Sequence, residues 1–394
     1  MKKAVIVGGA SGIGGSIASE LIKRGYHAVI LDRAEPDGPL PSEDYTYIPC
    51  DLNGGYEGTV TELASDGEVE VVMLTAGFGR VAELEYLHPA EIRSLMQVNA
   101  TATIEIIRHF YGRIKSETPF FTGVMSSIAG LVSSPAFSVY AASKAALARF
   151  VESVNVEIEA SGYRNRILAV CPGSIAGTKF SGGENRPELT ERLASEITDR
   201  LLSSETVYIP DYDEIYRGVI ERYTADPHGF GLESYEYKKA AGRILNEKRV
   251  KIGYLSGTFD LFHLGHLNLL KRARANCDYL IVGVHPDASH KAKKTFIPFE
   301  ERMAVVGGCR YVDRVVESCR EDSDAWDRHH YDVLFVGSDY KGTERFRRYE
   351  KYFADKGVEI MYFEYTQGTS STQIREKIIK EALAEVGADG EENR

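Results

Sequence analysis

Short apolar runs alternate with amphipathic, helix-length segments along most of this chain. An apolar run at 4–7 precedes a glycine-rich turn, an amphipathic stretch at about 15–24 and a second apolar run at 27–31. The same rhythm predicts later strands and helices. The strands are expected at 69–75, 120–125 and 166–171, and the helices at 89–115 and 138–160. Strands alternating with helices in this way indicate βαβ units around a parallel sheet, and therefore an α/β fold.

The alternation is interrupted once and then starts again. Residues 173–245 are rich in charge and tyrosine and mostly helical in pattern, and a basic stretch at 246–249 follows. Further strands are predicted at 250–255, 279–284, 332–336 and 358–363. A chain of 394 residues exceeds what one hydrophobic core usually supports. We therefore predict two domains, 1–247 and 248–380, and a flexible acidic tail at 381–394.

Composition excludes several classes of partner. The 58 acidic residues outnumber the 47 basic ones, and the net charge of -11 argues against a nonspecific nucleic-acid or anionic-membrane binder. The first apolar run is shorter than the roughly 7–15 residues of a signal peptide, and none approaches the ~18 of a membrane span. The five cysteines are scattered without metal-ligand spacing, so we expect buried free thiols, no protein metal site and a cytoplasmic protein.

The glycine-rich turn after the first strand predicts a dinucleotide site. Its residues are Gly8, Ser11, Gly12, Ile13 and Gly14. Such a turn brings the backbone close to a pyrophosphate, whose charge the following helix N-terminus favours. Asp32 ends the second strand, where a carboxylate binds ribose hydroxyls and repels a 2′-phosphate, so NAD(H) is favoured over NADP(H). Arg33 would favour the 2′-phosphate instead, and Asp32 would alternatively cap a loop.

Four polar residues predict proton transfer. Tyr140 and Lys144 lie one helical turn apart on one face of the predicted helix at 138–160. An ammonium beside a phenol lowers the phenol pKa, which suits the tyrosine to exchange a proton during hydride transfer. Ser127 would hydrogen-bond a carbonyl oxygen, and Asn99 would hold a water for proton relay.

Residues 1–245 resemble the short-chain dehydrogenase/reductase family, which implies a Rossmann fold with a doubly wound parallel sheet. The motifs that carry the resemblance are the glycine turn, Cys50-Asp51-Leu52, Thr75-Ala76-Gly77, Asn99, Ser127, Tyr140, Lys144, and Pro172-Gly173 followed by Thr178. The resemblance implies that Asp51 and Leu52 bind the adenine, and that Ala76, Gly77, Asn99, Pro172, Gly173 and Thr178 also bind cofactor. It implies Ser127 as carbonyl polariser, Tyr140 as acid/base, and Lys144 as a ligand of the nicotinamide ribose. The sequence departs from the family at Val7 and Thr75, where threonine and asparagine are usual.

The second half carries a different motif, which begins at Gly257-Thr258-Phe259-Asp260. His263 and His266 follow it at the start of a probable helix, where two imidazoles suit phosphate oxygens during in-line attack. Metal binding and helix capping are the alternatives for this pair. Further candidates for a nucleotide site are the basic residues Lys291, Lys293, Lys294 and Arg302, Asp339 after a strand, and Thr369, Ser370, Ser371 and Thr372 before a helix. A solvated loop and an N-cap run are the alternatives for the lysines and the hydroxyl residues.

Residues 250–380 resemble the glycerol-3-phosphate cytidylyltransferase family, which implies a Rossmann-like α/β nucleotidyltransferase domain. The match includes the motif from Gly257 to His266, the lysine loop with Arg302, Arg310-Tyr311-Val312-Asp313 and the hydroxyl residues before Arg375. The resemblance implies CTP and Mg²⁺, a phosphorylated polyol as nucleophile, and release of pyrophosphate. Tyr365 stands where the family usually has arginine, and Arg375 would be its substitute.

The two halves together predict a bifunctional enzyme that makes a CDP-polyol for a wall or capsule polymer. A phosphorylated ketose or triose would be reduced with NAD(P)H, and CMP would then be transferred from CTP. Residues that would bind the substrate phosphate are Lys179, Arg186, Arg217 and Lys238, each of which would alternatively be solvated surface. Alternatives are two activities on unrelated substrates, or a degenerate second domain that senses nucleotide and regulates the reductase. Both families commonly self-associate, so a homo-oligomer is expected.

Overall fold

A computed structural model describes residues 2–36, 43–178, 180, 184–247, 250–287, 295–364, 373–374 and 380. The chain divides into two compact units, Met1–Lys248 and Arg249–Arg394. Each unit has its own parallel sheet, and each is described separately below.

The described part of the first unit forms a seven-stranded sheet in the order β3-β2-β1-β4-β5-β6-β7. Its strands are β1 Lys3–Val7, β2 His27–Asp32, β3 Tyr45–Pro49, β4 Val69–Leu74, β5 Phe121–Met125, β6 Ile167–Val170 and β7 Val207–Tyr208, all parallel. The order reverses between β1 and β4. In open α/β sheets a ligand binds outside the carboxyl ends of the strands at such a reversal.

Helices cover both faces of this sheet. They are α1 Gly12–Lys23, α2 Glu57–Ser65, α3 Pro89–Met96, α4 Ala102–Ile114, α5 Ser138–Ala160, α6 Pro187–Leu202, α7 Arg217–Ala225 and α8 Pro227–Ala240. Alternation along β1 directs Val5 and Val7 into a core shared with α2, α4 and α5. Ala4 and Ile6 point the other way, into a core shared with α1 and α6.

The second unit repeats this plan with five strands in the order β10-β9-β8-β11-β12, within the residues described. Its elements are β8 Ile252–Gly257, α9 Leu264–Arg274, β9 Tyr279–Val284, α10 Phe299–Gly307, β10 Arg314–Glu317, α11 Asp322–His329, β11 Val333–Gly337, α12 Glu344–Ala354 and β12 Glu359–Phe363. Leu255 packs with residues of α9 and α10, whereas Tyr254 packs with residues of α11 and α12. The strand order reverses between β8 and β11, and open α/β sheets bind ligands at such a reversal.

The predicted α/β fold class with two parallel sheets is confirmed. The predicted helix at 89–115 is present, but a π-helical turn at Gln97–Thr101 lies within it and separates α3 from α4. Strands β3, β7 and β10 were not predicted. All five cysteines are free, as predicted, but Cys309 and Cys319 are only partly buried. A membrane-crossing helix, which would need a long apolar stretch, is not found among the described residues.

Candidate active sites

The glycine turn of the first unit lies at the carboxyl end of β1 and leads directly into α1, which begins at Gly12. A methyl group on Gly14 would lie 2.2 Å from the Gly8 carbonyl oxygen and 2.4 Å from Thr75 Oγ1. A methyl group on Gly8, whose φ is +84°, would lie 2.5 Å from the Ala76 amide nitrogen. Only glycine fits these two positions. The turn is therefore tight enough for its backbone to approach a pyrophosphate at the N-terminus of α1.

Thr75, one of the two departures from the family pattern, helps to hold this turn. Its hydroxyl donates to the carbonyl oxygens of Val7 and Gly8, at 2.9 and 3.0 Å. From the sequence, Thr75 was noted only as a departure from the family pattern. The structure shows that its hydroxyl connects the ends of β1 and β4 on either side of the strand-order reversal.

Asp32 and the segment from Cys50 to Leu52 meet at the ends of β2 and β3. The Cys50 amide donates to the Asp32 carbonyl oxygen at 2.8 Å. The Asp32 carboxylate accepts the Ala10 amide at 3.1 Å and the Arg33 amide at 2.7 Å. Asp32 thus caps a loop, which was the alternative interpretation. Its cofactor role stays a prediction, as do the adenine contacts of Asp51 and Leu52.

The predicted catalytic side chains converge in the first unit. Tyr140 and Lys144 lie on the buried face of α5, with 7% and 2% of their surfaces exposed. Ser127, just after β5, hydrogen-bonds Tyr140 and contacts the Pro172 carbonyl oxygen at 3.3 Å. A methyl group on Gly77 would lie 3.2 Å from both Lys144 Nζ and Asn99 Oδ1. The four residues therefore surround one small volume at the carboxyl edge of the sheet.

The expected lowering of the Tyr140 pKa is absent from this structure. Burial raises the pKa of Tyr140 to about 12, and the hydrogen bond with Ser127 opposes this only in part. Burial also lowers the pKa of Lys144 to about 8. Lys144 Nζ donates to the Met125 carbonyl oxygen at 2.8 Å and lies 5.7 Å from the centre of the Tyr140 ring. Desolvation is therefore the main cause of the pKa shift of both groups.

Asn99 lies in the π-helical turn and is fully buried. Its Oδ1 accepts the Phe78 amide at 3.0 Å, and its Nδ2 donates to the Phe78 carbonyl oxygen at 2.8 Å and to Ser143 Oγ at 3.2 Å. The side-chain amide thus ties the loop after β4 to α5. These contacts engage both the oxygen and the nitrogen of the Asn99 amide. Water binding by Asn99 stays a prediction.

Several residues that sequence reasoning did not select also surround the site. Phe137 stacks on the Tyr140 ring with ring centres 4.2 Å apart. The Phe180 ring is tilted relative to the Tyr140 ring, and their centres are 5.3 Å apart. Asn185 Oδ1 accepts the Gly12 amide at 2.9 Å, next to Thr178, a predicted cofactor ligand that packs over Gly12. Nothing local in the sequence marks Phe180 or Asn185, because the long connection from β6 to α6 brings them here.

Lys238 does not serve as the predicted phosphate ligand. It is buried and donates to the Pro135 carbonyl oxygen at 2.8 Å, Ser134 Oγ at 3.0 Å and Ser234 Oγ at 3.2 Å. Burial lowers its pKa to about 8. These contacts anchor the loop before α5. Arg217 pairs with Asp213, Arg186 is exposed, and Lys179 lies outside the described residues.

In the second unit, the loop after β8 has an unusual backbone. Phe259 and Leu261 have positive φ values of 53° and 51°, which side chains other than glycine rarely adopt. The Asp260 carboxylate accepts the amides of Phe296 and Ile297 at 3.0–3.1 Å, which fixes the loop. Thr258 Oγ1 is buried and forms no hydrogen bond within the described part of the chain. A polar ligand would satisfy that hydroxyl.

His263 and His266 come together at the start of α9. His263 caps the helix, with Nδ1 accepting the Gly265 amide at 3.0 Å, and His266 Nδ1 accepts the His263 amide at 3.4 Å. Their rings stack with centres 4.0 Å apart. Because both Nδ1 atoms accept amides, a neutral ring carries its proton on Nε2, which suits a phosphate oxygen. Burial lowers the pKa of His263 and favours this neutral form.

The guanidinium of Arg302, predicted to bind phosphate, is hydrogen-bonded within the protein. Only 1% of its surface is exposed, and its guanidinium donates to the carbonyl oxygens of Ile297, Thr258, His285 and Pro286. It therefore fastens the loops after β8 and β9 rather than offering its donors to a triphosphate. Asp339 is exposed in a turn after β11. The predicted residues Lys291, Lys293, Lys294, Thr369, Ser370, Ser371 and Thr372, with Tyr365 and Arg375, lie outside the described residues.

Known proteins match both units. The short chain dehydrogenase family model matches residues 2–188, and the cytidylyltransferase-like family model matches residues 254–377. Glycerol-3-phosphate cytidylyltransferase of Bacillus subtilis (strain 168) is 35% identical over 126 residues, which are 31% of this chain and 92% of that protein. Bifunctional protein HldE of Klebsiella pneumoniae (strain 342) is 34% identical over 218 residues, which cover 53% of this chain and 44% of that protein.

A solved short-chain dehydrogenase from Sphingobium yanoikuyae in complex with NADPH is also similar. It has 21% identity and a TM-score of 0.48, over 57% of this chain and 96% of that chain. Through its second unit the chain belongs to the cytidylyltransferase family, and its first unit matches the short chain dehydrogenase family model.

Proposed function

We propose that this enzyme makes a CDP-polyol in two consecutive steps. The first unit reduces a phosphorylated ketose or triose to a polyol phosphate with NAD(P)H. The second unit transfers CMP from CTP·Mg²⁺ to that phosphate and releases pyrophosphate. The observation that carries the proposal is that one chain holds both the Ser127–Tyr140–Lys144 cluster and the His263–His266 pair. Candidate conversions are ribulose or xylulose 5-phosphate to a CDP-pentitol and dihydroxyacetone phosphate to CDP-glycerol, in the cytoplasm, for a wall or capsule polymer.

The residues of the first unit fit a dinucleotide cofactor. Gly8 and Gly14 leave room for a pyrophosphate at the N-terminus of α1, and the Asp32 carboxylate favours NADH by repelling a 2′-phosphate. The bound cofactor would supply the hydride. Tyr140, protonated at neutral pH, would donate its phenolic proton to the carbonyl oxygen that Ser127 also hydrogen-bonds. Lys144, with a pKa of about 8, would be charged at pH 7 and would stabilise the phenolate left behind.

The second unit supports attack by a phosphate on CTP. An oxygen of the polyol phosphate would bond to the α-phosphorus of CTP while the bond to the bridging oxygen of pyrophosphate breaks. The Nε2–H groups of His263 and His266 would donate to the α-phosphate oxygens as negative charge develops on them. The Thr258 hydroxyl, which lacks a partner within the described part of the chain, supplies another polar contact in the same loop.

The test is a coupled assay with the full chain. NADH oxidation is followed with a panel of phosphorylated ketoses and trioses, and pyrophosphate release is followed after CTP and Mg²⁺ are added. We expect one carbonyl compound to support both signals and to give a CDP-polyol. NADH consumption without pyrophosphate release, together with CMP transfer to an unrelated phosphate, would contradict the proposal.

Two variants separate the steps. Tyr140→Phe removes the proton donor and is expected to abolish NADH oxidation while CMP transfer to added polyol phosphate continues. His266→Asn is expected to slow pyrophosphate release by about 100-fold or more while leaving NADH oxidation intact. If His266→Asn released pyrophosphate at the wild-type rate, the assignment of CMP transfer to this site would be wrong.

A further inference from the structure

Tyr216 is placed by a short irregular segment that follows β7. Asp211 adopts a left-handed conformation with a φ of 54°, and a π-helical turn over Tyr212–Tyr216 then leads into α7. Tyr212 and Ile215 in this turn are 40% and 52% exposed. Tyr216 is only partly exposed and points back into the unit. Single π turns of this kind often occur at functional sites.

The Tyr216 hydroxyl reaches the rim of the reductase site. A methyl group on Gly173 would lie 1.5 Å from the Tyr216 hydroxyl oxygen, so this oxygen occupies the position of the side chain that Gly173 lacks. The preceding residue, Pro172, provides the carbonyl oxygen that Ser127 contacts. The Tyr216 phenol therefore lies against the residue next to Pro172, which is the contact of Ser127, the predicted carbonyl polariser.

Polar groups for recognising a substrate are few at this site. Phe137 and Phe180 flank Tyr140 and offer only apolar surface. Ser127 and Tyr140 are engaged on the reacting carbonyl in the proposed reaction, and the Lys238 ammonium is bound to the loop before α5. The Tyr216 hydroxyl forms no hydrogen bond within the described residues. Burial and the nearby Asp211 carboxylate raise the pKa of Tyr216, so the phenol keeps its proton at neutral pH.

We propose that Tyr216 is a specificity-determining residue of the reductase, whose phenol hydrogen-bonds a hydroxyl on a carbon next to the reacting carbonyl. The substrate class is therefore an α-hydroxy carbonyl compound. This inference rests on the reductase step of the proposed function and does not depend on CMP transfer.

The test compares two substrates in two enzymes. Tyr216→Phe removes only the hydroxyl and keeps the ring in place. The substrates are the carbonyl compound that the wild type reduces and its analogue in which the α-hydroxyl is replaced by hydrogen. We expect Tyr216→Phe to lower kcat/KM for the hydroxylated substrate by about 3- to 10-fold, as for the loss of one neutral hydrogen bond. The analogue should be reduced equally by both enzymes, because it lacks the partner of the phenol.

Binding of NADH, measured by fluorescence titration, distinguishes a contact with substrate from a contact with cofactor. We expect its Kd to be the same in the wild type and in Tyr216→Phe. Tyr212→Phe, in the same turn but exposed, is the matched control and should leave all these values unchanged. Equal losses with both substrates, a weakened Kd for NADH, or no loss at all would each overturn the assignment.

Failure of the Tyr216 assignment can be distinguished from failure of the proposed function. If the wild type reduces no phosphorylated ketose or triose, the proposed function fails. The same comparison is then made with the carbonyl compound that the enzyme does reduce.

Discussion

Replacing Lys144 by methionine should remove a stability cost that depends on pH. Lys144 is 2% exposed, and burial lowers its pKa from 10.5 in the unfolded chain to about 8 in the folded unit. Between these values the unfolded chain binds one proton more than the folded chain, so the wild-type free energy of unfolding rises with pH. Each pKa unit is worth about 1.4 kcal/mol, so the full shift corresponds to about 3 kcal/mol, of which about 2.5 kcal/mol is recovered between pH 7 and pH 10.

The quantity to measure is the free energy of unfolding of Lys144→Met minus that of the wild type. We expect this difference to fall by about 2.5 kcal/mol from pH 7 to pH 10, because only the wild type gains stability over that range. The lost hydrogen bond to the Met125 carbonyl oxygen adds a constant that cancels in the comparison.

Denaturant unfolding of the full chain, followed by circular dichroism, provides the values. The single tryptophan, Trp326, lies in the second unit, so its fluorescence reports the unfolding of that unit separately. Lys23→Met, at an exposed position of the first unit, is the control. A difference for Lys144→Met that stays constant across pH 7 to 10 would refute the reasoning.

Three further predictions concern the two sites. Asp32→Ala should lower the preference for NADH over NADPH in kcat/KM by about tenfold or more, because repulsion of the 2′-phosphate is lost; an unchanged ratio would contradict this. Gly14→Ala should abolish NADH binding in a fluorescence titration, since the new methyl group would lie 2.2 Å from the Gly8 carbonyl oxygen; tight binding would show that the turn is not the pyrophosphate site. Because burial lowers the His263 pKa below 6.5, pyrophosphate release should hold its rate down to that pH and decline only below it; a decline centred above 6.5 would exclude the neutral donor.

Features that depend on local pattern could be predicted from the sequence. Helix α5 has the predicted bounds, and it places Tyr140 and Lys144 one turn apart on its buried face. His263 and His266 lie at the start of α9, as expected for a turn that follows a strand. The three strands that were missed, β3, β7 and β10, are edge strands of the two sheets. Edge strands are short and half-exposed, so they leave a weak hydrophobic signal.

Features that depend on contacts between distant segments could not be predicted. Arg302 has the charge of a phosphate ligand, but four backbone carbonyl oxygens surround it once the loops after β8 and β9 fold against α10. Lys238 is likewise bound by residues about one hundred positions earlier in the chain. The contact of Tyr216 with Gly173 joins two segments whose local patterns are unremarkable. In each case the role depends on which distant segment the side chain contacts, rather than on the residue type.

The most direct test of the central claim follows one hydrogen atom through both steps. The full chain is incubated with the carbonyl phosphate, CTP, Mg²⁺ and NADH that carries deuterium at the transferred position, and the products are analysed by mass spectrometry. The account predicts a CDP-polyol heavier by one deuterium, because the hydride acquired in the first unit stays on carbon during CMP transfer. A deuterated polyol phosphate that is never converted to a CDP derivative, or a CDP product without deuterium, would contradict it.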